Sequence, residues 1–235
     1  MFVRHPSTFY RRVRRLVRPM RSDYRKRFGM RLSEWLLFHQ RHVVFDKCRW
    51  MGLHAWKNPL DAWIYQEIVY EVRPDIIVEI GSYEGGSTLF LAGLLELLGK
   101  GTVISVDIDR SRFRAKHDRI FEITGSSSSP EVVEKVRGLC RDRTVLIIQD
   151  AAHDKESVLK DLRNYSKLVS LNSYFIVEDG VVDLYRPSDS IGSFEDGPLA
   201  AIDEFLSQNP NFLADSERER YILTYNPRGF LKRIS

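Results

Sequence analysis

The chain has 235 residues, 43% of them hydrophobic, and only two cysteines, Cys48 and Cys140. That is enough apolar material for one sizeable domain with an extension, and it excludes wholesale disorder and a disulfide-built scaffold. The net charge of +4 is unevenly placed: residues 1–30 carry ten Lys or Arg against one acid, Asp23, which leaves the remainder net negative and gives nucleic-acid binding by the folded part no compositional support.

The N-terminal arm places Phe9, Val13, Leu16, Val17 and Met20 at helical spacing with arginines between them. Ser7 suits the start of that helix and Pro19 its end. A cationic amphipathic helix of this kind offers peripheral contact with an anionic membrane surface, or a contact between copies in a homo-oligomer. No apolar run reaches the roughly 20 residues of a membrane span, and no apolar signal-peptide core follows the basic start, so the sequence reads as cytoplasmic.

Residues 1–50 form the basic helical extension in this reading, and 51–235 form the main domain. Helices are predicted over Leu32–Phe45 and about Pro59–Val72. The pattern then changes to Ile76-Ile-Val-Glu-Ile80, a short β-branched run typical of a parallel strand buried on both faces. A turn at Gly81–Gly86, a helix over Ser87–Leu98 and a strand over Thr102–Val106 follow. Further strands are predicted at Ile120–Ile123, Thr144–Ile148 and Tyr174–Val177, with helices over Lys155–Val169 and Leu199–Gln208. Near the C-terminus, Tyr221–Tyr225 and Phe230–Ile234 flank Asn226-Pro-Arg-Gly229 and read as an antiparallel hairpin. Alternating strands and helices give an α/β fold whose mostly parallel sheet has right-handed crossovers.

Ligands of such sheets bind beyond the carboxyl ends of the strands. Gly81-Ser-Tyr-Glu-Gly-Gly86 sits there, preceded by Glu79, and its spacing is not the Gly-x-Gly-x-x-Gly of dinucleotide sites. Asp107, at the end of the next strand, is placed to accept hydrogen bonds from two ribose hydroxyls. The pair points to a nucleoside cofactor, with S-adenosylmethionine favoured over a dinucleotide. Glu79 can serve its ammonium group, and the Gly125-Ser126 turn falls where adenine would lie. The alternative is a glycine turn that serves packing only, with Asp107 as a helix cap.

Asp150 ends one predicted strand, and Glu178 with Asp179 ends another. Neighbouring parallel strands lie about 4.8 Å apart, so three carboxylates at one sheet edge can hold Mg²⁺. His153, three residues after Asp150, has an ordinary pKa of about 6.5 that suits a general base. Asp150 as a helix cap, Glu178-Asp179 as a polar turn and His153 as a packed first-turn residue are the alternatives. Cys140 reads as a small buried apolar residue.

Several segments together resemble the cephalosporin hydroxylase family. They are Trp63-Ile-Tyr-Gln-Glu67, Val78–Ser87, Asp150-Ala-Ala-His153, Ile176-Val-Glu-Asp179 and Thr224-Tyr-Asn-Pro-Arg-Gly-Phe-Leu231. The resemblance runs from about Met51 to Arg233 and implies a class I methyltransferase fold with a seven-stranded sheet. It also implies an S-adenosylmethionine- and Mg²⁺-dependent O-methyltransferase acting on a sugar or natural-product hydroxyl, a glycolipid included. The residues it implies are Asp150, Glu178 and Asp179 for metal, and His153 with Asp150 for catalysis. Glu79, Gly81, Ser82, Tyr83, Gly85, Ser87, Asp107 and Ser126 would serve the cofactor. One departure stands out: similar sequences carry a second acid where this chain has Ala152, which leaves Asp150 to supply the ligand. Participation in hydroxylation, as the family name has it, and a membrane-surface module built on the arm are the competing readings. The first is weakened by the lack of a His-x-Asp element for iron.

Overall fold

A computed structural model describes residues 28–185 and 196–235. The predicted arm helix beginning at Ser7 and nearly all of the polar stretch 186–196 lie outside them. The chain divides into two compact units, with the boundary between His39 and Gln40. In the first, helix α1 (Leu32–His39) stacks the Trp35 ring on His39, with centroids 4.3 Å apart. The predicted helix over Leu32–Phe45 is helical along its length, with a π-helical turn at Gln40–Val44 after which α-helix resumes at Phe45–Lys47.

The second unit opens with a small ribbon, β1 (Arg49–Trp50) against β2 (Leu53–His54). Helix α2 (Pro59–Val72) follows, with its start set by Pro59 and by the Asn58 side chain accepting from Leu60 N at 3.2 Å. The alternation then runs β3 (Ile76–Ile80), α3 (Gly86–Leu98), β4 (Thr102–Asp107), β5 (Ile120–Thr124), α4 (Pro130–Cys140), β6 (Val145–Gln149), α5 (Lys155–Tyr165) and β7 (Tyr174–Val177). Helix α6 (Pro198–Gln208), β8 (Phe212–Ala214) and β9 (Phe230–Arg233) complete the chain.

The seven strands are ordered β5-β4-β3-β6-β7-β9-β8. β3 to β7 are parallel, and β9 runs antiparallel to both β7 and β8. The C-terminal antiparallel pair is therefore present, but β9 takes Phe212–Ala214 as its outer partner rather than Tyr221–Tyr225. Tyr225 N donates instead to Asp61 Oδ2 at 2.8 Å, and Ile222 adopts a left-handed backbone at φ 68. Those commitments take the segment out of a strand ladder.

Period-two alternation sorts the core onto the two faces of the sheet. Ile77, Val103, Leu146, Ile148 and Ile176 face α2 and α3. Val78, Ile104, Val106, Ile147 and Val177 face α4, α5 and α6. Cys140 is buried in that second layer. A clamp closes the α6 end: Asp183 Oδ2 accepts from Leu199 N at 2.9 Å and Ala200 N at 3.3 Å, and Lys155 N donates to Asp196 O at 3.1 Å. Among the described residues no helix is long and apolar enough to cross a membrane.

Candidate active site

A cleft of about 840 Å³ opens at the carboxyl ends of β3, β4 and β6. Gly81, Ser82, Tyr83, Ser87, Asp107 and Ser126 line it, as do Asp150, His153 and Asp179. Glu79, Gly85 and Glu178 do not.

The glycine turn owes its composition first to packing. Gly81 has φ +87, and a Cβ there would overlap the Asp150 carbonyl and lie 2.9 Å from Ala151 Cα. Glycine lets the exits of β3 and β6 touch. At Gly85, with φ +88, a Cβ would come within 2.6 Å of Ala115 Cβ and 2.7 Å of the Phe113 ring. Gly85 therefore serves the seat of α3 on the 110–119 loop.

Asp107 is tied to that turn. Its Oδ2 accepts from Ser82 N at 2.8 Å, Tyr83 N at 3.0 Å and Ser82 Oγ at 3.1 Å. Burial pulls its carboxyl upward, but the N–H donors of Ser82, Asp109 and Tyr83 outweigh it and hold the group below the usual carboxylate range. Its Oδ1 accepts one bond among the described residues, from Asp109 N at 3.1 Å, so it keeps acceptor capacity for a hydroxyl. Arg110 braces the turn from behind, donating to Ser82 Oγ at 2.8 Å and Ser105 Oγ at 2.9 Å. Glu79 is fully buried at the base of α3, where its Oε2 accepts from the Thr88 hydroxyl. Burial pushes its carboxyl above the usual range, against the pull of Lys57, Ser87 and Thr88.

Aromatic side chains wall one side of the cleft. Trp56 stacks on Tyr83 with centroids 4.2 Å apart and packs against Phe45 at 5.2 Å. At the other end Ser127 Oγ donates to Asp161 Oδ1 at 2.7 Å, and burial pushes the Asp161 carboxyl up to about 6.

The acids divide into two groups. Asp150, His153 and Asp179 each offer one ligand atom, and those atoms lie within 4.8 Å of one another. His153 Nε2 is 3.2 Å from Asp179 Oδ2 and 3.7 Å from Asp150 Oδ1. Two carboxylates converging with open cleft beside them fit a hard divalent cation that keeps water or substrate oxygens in its shell. Burial would lower the His153 pKa, but Asp150 and Asp179 outweigh it and raise the group to about 10. Asp179 reaches the cluster through a left-handed backbone, φ 57, which turns it off the strand direction. The helix-cap role open to Asp150 falls to Asp154, whose side chain accepts from Ser157 N at 2.9 Å.

Glu178 stands apart from that cluster. By alternation it shares the face of Tyr174 and Ile176, toward α2. There its Oε1 lies 2.6 Å from Lys57 Nζ, and the same ammonium bonds Asp150 Oδ2. Burial alone would lower the Lys57 pKa, but Asp150, Glu178 and Glu79 raise it above the ordinary lysine value. Lys57 is the residue the sequence reading missed. It lies in an irregular segment before α2, and nothing in its local pattern marks a lysine as buried. Asp161 and Trp56 were missed for the same reason, since only the crossover geometry brings them to the cleft. Ala152 lines the cleft and offers its carbonyl to Gln149 Nε2 at 3.1 Å; the acids that converge with His153 are Asp150 and Asp179.

A parallel sheet of this strand order, closed by an antiparallel pair and carrying a glycine turn after its first strand and an acid after its second, defines an α/β domain of the class I methyltransferase type. The chain belongs to the Rhamnosyl O-methyltransferase/CmcI family, whose sequence profile matches residues 42–234. Rhamnosyl O-methyltransferases of Mycobacterium tuberculosis (strain ATCC 25618 / H37Rv) and Mycobacterium leprae (strain TN) are each 30% identical to it over 86% of this chain, covering 84% and 90% of those relatives. A solved structure of cmcI with Mg and SAM superposes with a TM-score of 0.62 at 26% identity, covering 81% of this chain and 78% of that one.

Proposed function

We propose that this protein is an S-adenosylmethionine- and Mg²⁺-dependent O-methyltransferase acting on a hydroxyl of a sugar-bearing acceptor. The observation that carries the reading is the convergence of Asp150, His153 and Asp179 in the same cleft as the Gly81 turn and Asp107. Family membership and the rhamnosyl-modifying relatives support the acceptor class.

The residues fit both groups. Asp107 Oδ1 would be the acceptor for a ribose hydroxyl, and Glu79, buried behind the cleft wall, would lend negative charge toward an ammonium. Asp150 and Asp179 would hold the cation. S-adenosylmethionine supplies an electrophilic methyl group, and the cation supplies the positive charge that acidifies an alcohol. The chain's own work is positional. The Gly81 turn and Asp107 fix one end of the cleft, and the Trp56–Tyr83 stack walls its side. With no cation bound, Asp150 and Asp179 keep His153 protonated; with a cation neutralising those two acids, His153 Nε2 would be the group that takes the hydroxyl proton.

Calorimetry of the full chain with S-adenosylmethionine, with and without Mg²⁺, tests the reading, followed by methyl transfer to a rhamnosyl glycoside. Saturable cofactor binding and a methylated sugar are expected. Absence of cofactor binding in both buffers would end the proposal.

A further inference from the structure

Lys57 is a buried cation to which the methyl-transfer reading gives no role. It lies outside the cleft lining, its side chain is 6% exposed, and it faces two acids at once. Its backbone is fixed on both sides: its carbonyl accepts from Cys48 Sγ at 3.5 Å, and the next residue, Asn58, caps α2. An ammonium has three donors and no acceptor, so burial of this one is tolerable only among carboxylates. Asp150 divides its two oxygens accordingly. Oδ2 bonds Lys57, and Oδ1 faces His153 on the cleft side.

We propose that Lys57 is a built-in counter-cation: it holds the Asp150–Glu178 pair in place when no divalent ion is bound, so the site keeps its shape without metal. The inference rests on the reading above in placing a divalent ion at Asp150 and Asp179. Buried Glu178 and half-buried Asp150, at the ends of neighbouring strands, repel each other and lose water on folding. Lys57 offsets both costs from the α2 side of the sheet and leaves the cleft-side oxygens of Asp150 and Asp179 for the cation. A lysine serving only as ordinary buried support would stabilise the protein equally with and without the ion. A counter-cation makes its loss repairable by a divalent ion, because a ligand that binds only the folded state stabilises it by mass action.

The test is thermal melting of the full chain in EDTA and in saturating MgCl₂, for wild type, Lys57→Met and the double variant Lys57→Met/Glu178→Gln. Wild type should melt somewhat higher in MgCl₂, as mass action requires of a ligand held by the folded state. Lys57→Met should melt lower than wild type in EDTA and recover in MgCl₂, with a clearly larger shift than that of wild type. The double variant has one carboxylate fewer and should melt above Lys57→Met in EDTA. Equal shifts in Lys57→Met and wild type would overturn the proposal, as would a double variant no more stable than Lys57→Met. If Lys57→Met folds in neither buffer, the double variant decides: restored folding supports the counter-cation and continued failure overturns it. Cofactor calorimetry on wild type fails separately if the methyltransferase reading is wrong.

Discussion

Ser82 gives Asp107 two hydrogen bonds at once, from its backbone N–H at 2.8 Å and its hydroxyl at 3.1 Å, both to Oδ2. One oxygen of Asp107 is thereby spent on the turn and the other stays available. Asp107→Ala should therefore weaken S-adenosylmethionine binding by at least ~10-fold, the worth of one hydrogen bond to a charged group. Ser82→Ala keeps the backbone bond and should cost only about 2- to 5-fold by the same measure. Titration calorimetry of both variants checks the order, and a larger loss for Ser82→Ala would mean the wrong oxygen has been assigned to the ligand.

His153 and Asp179 should separate in kinetics. His153→Ala is expected to lower kcat roughly 100- to 10,000-fold while cofactor binding stays within about twofold, as for loss of a general base. Asp179→Asn should chiefly raise the Mg²⁺ concentration needed for half-maximal rate. Steady-state rates over a Mg²⁺ titration distinguish them. Equal Mg²⁺ dependence in Asp179→Asn and wild type would remove Asp179 from the proposed ligand set.

Asp161 predicts a pH signature in stability. Its folded pKa, raised by burial to about 6, exceeds the unfolded value of about 3.9. Its contribution is fully present below the unfolded value, where both states are protonated, and is lost as pH rises through about 6. The loss amounts to at most about 3 kcal/mol, from a shift of about two pKa units. Asp161→Asn can still accept from Ser127 and carries no charge to bury. Urea denaturation should show wild type losing stability relative to the variant between about pH 4 and about pH 6, then running parallel to it. Parallel curves across the whole range would refute the assignment.

Two glycines should behave oppositely. Gly81→Ala combines φ +87 with overlap on the Asp150 carbonyl and should cost more than about 3 kcal/mol or prevent folding. Gly138, in α4, has open space around its Cβ position, and Gly138→Ala should stabilise by roughly 0.5–1 kcal/mol. Chemical denaturation reads both.

The order of elements was readable because β3, β4, β6 and β7 are short apolar runs whose bounds differ from the observed ones by a residue or less. Pro59 and Asn58 likewise mark the start of α2 in the sequence itself. The strand pairing at the C-terminus was less readable. Phe212-Leu-Ala214 is too short to show a period, and the bond from Tyr225 N to Asp61 joins residues far apart in the chain. At the site, Asp107, Asp150, His153 and Asp179 could be found as polar residues ending strands. The different placement of Glu178 and Asp179 follows from alternation, which sends adjacent residues to opposite faces, and from the left-handed turn at Asp179. The partner of Glu178 could not be inferred, because Lys57 comes from 121 residues away.

The Asp183 clamp has a consequence for where the chain tolerates a change of length. Asp183, in the turn after β7, fastens the start of α6, and the bond from Lys155 N to Asp196 O ties the chain just before α6 to the start of α5. The described residues on either side of positions 186–195 are thereby held by bonds of their own. Loop-closure cost grows only slowly with the number of residues between fixed ends, so insertions at those positions should leave the stability of the sheet nearly unchanged.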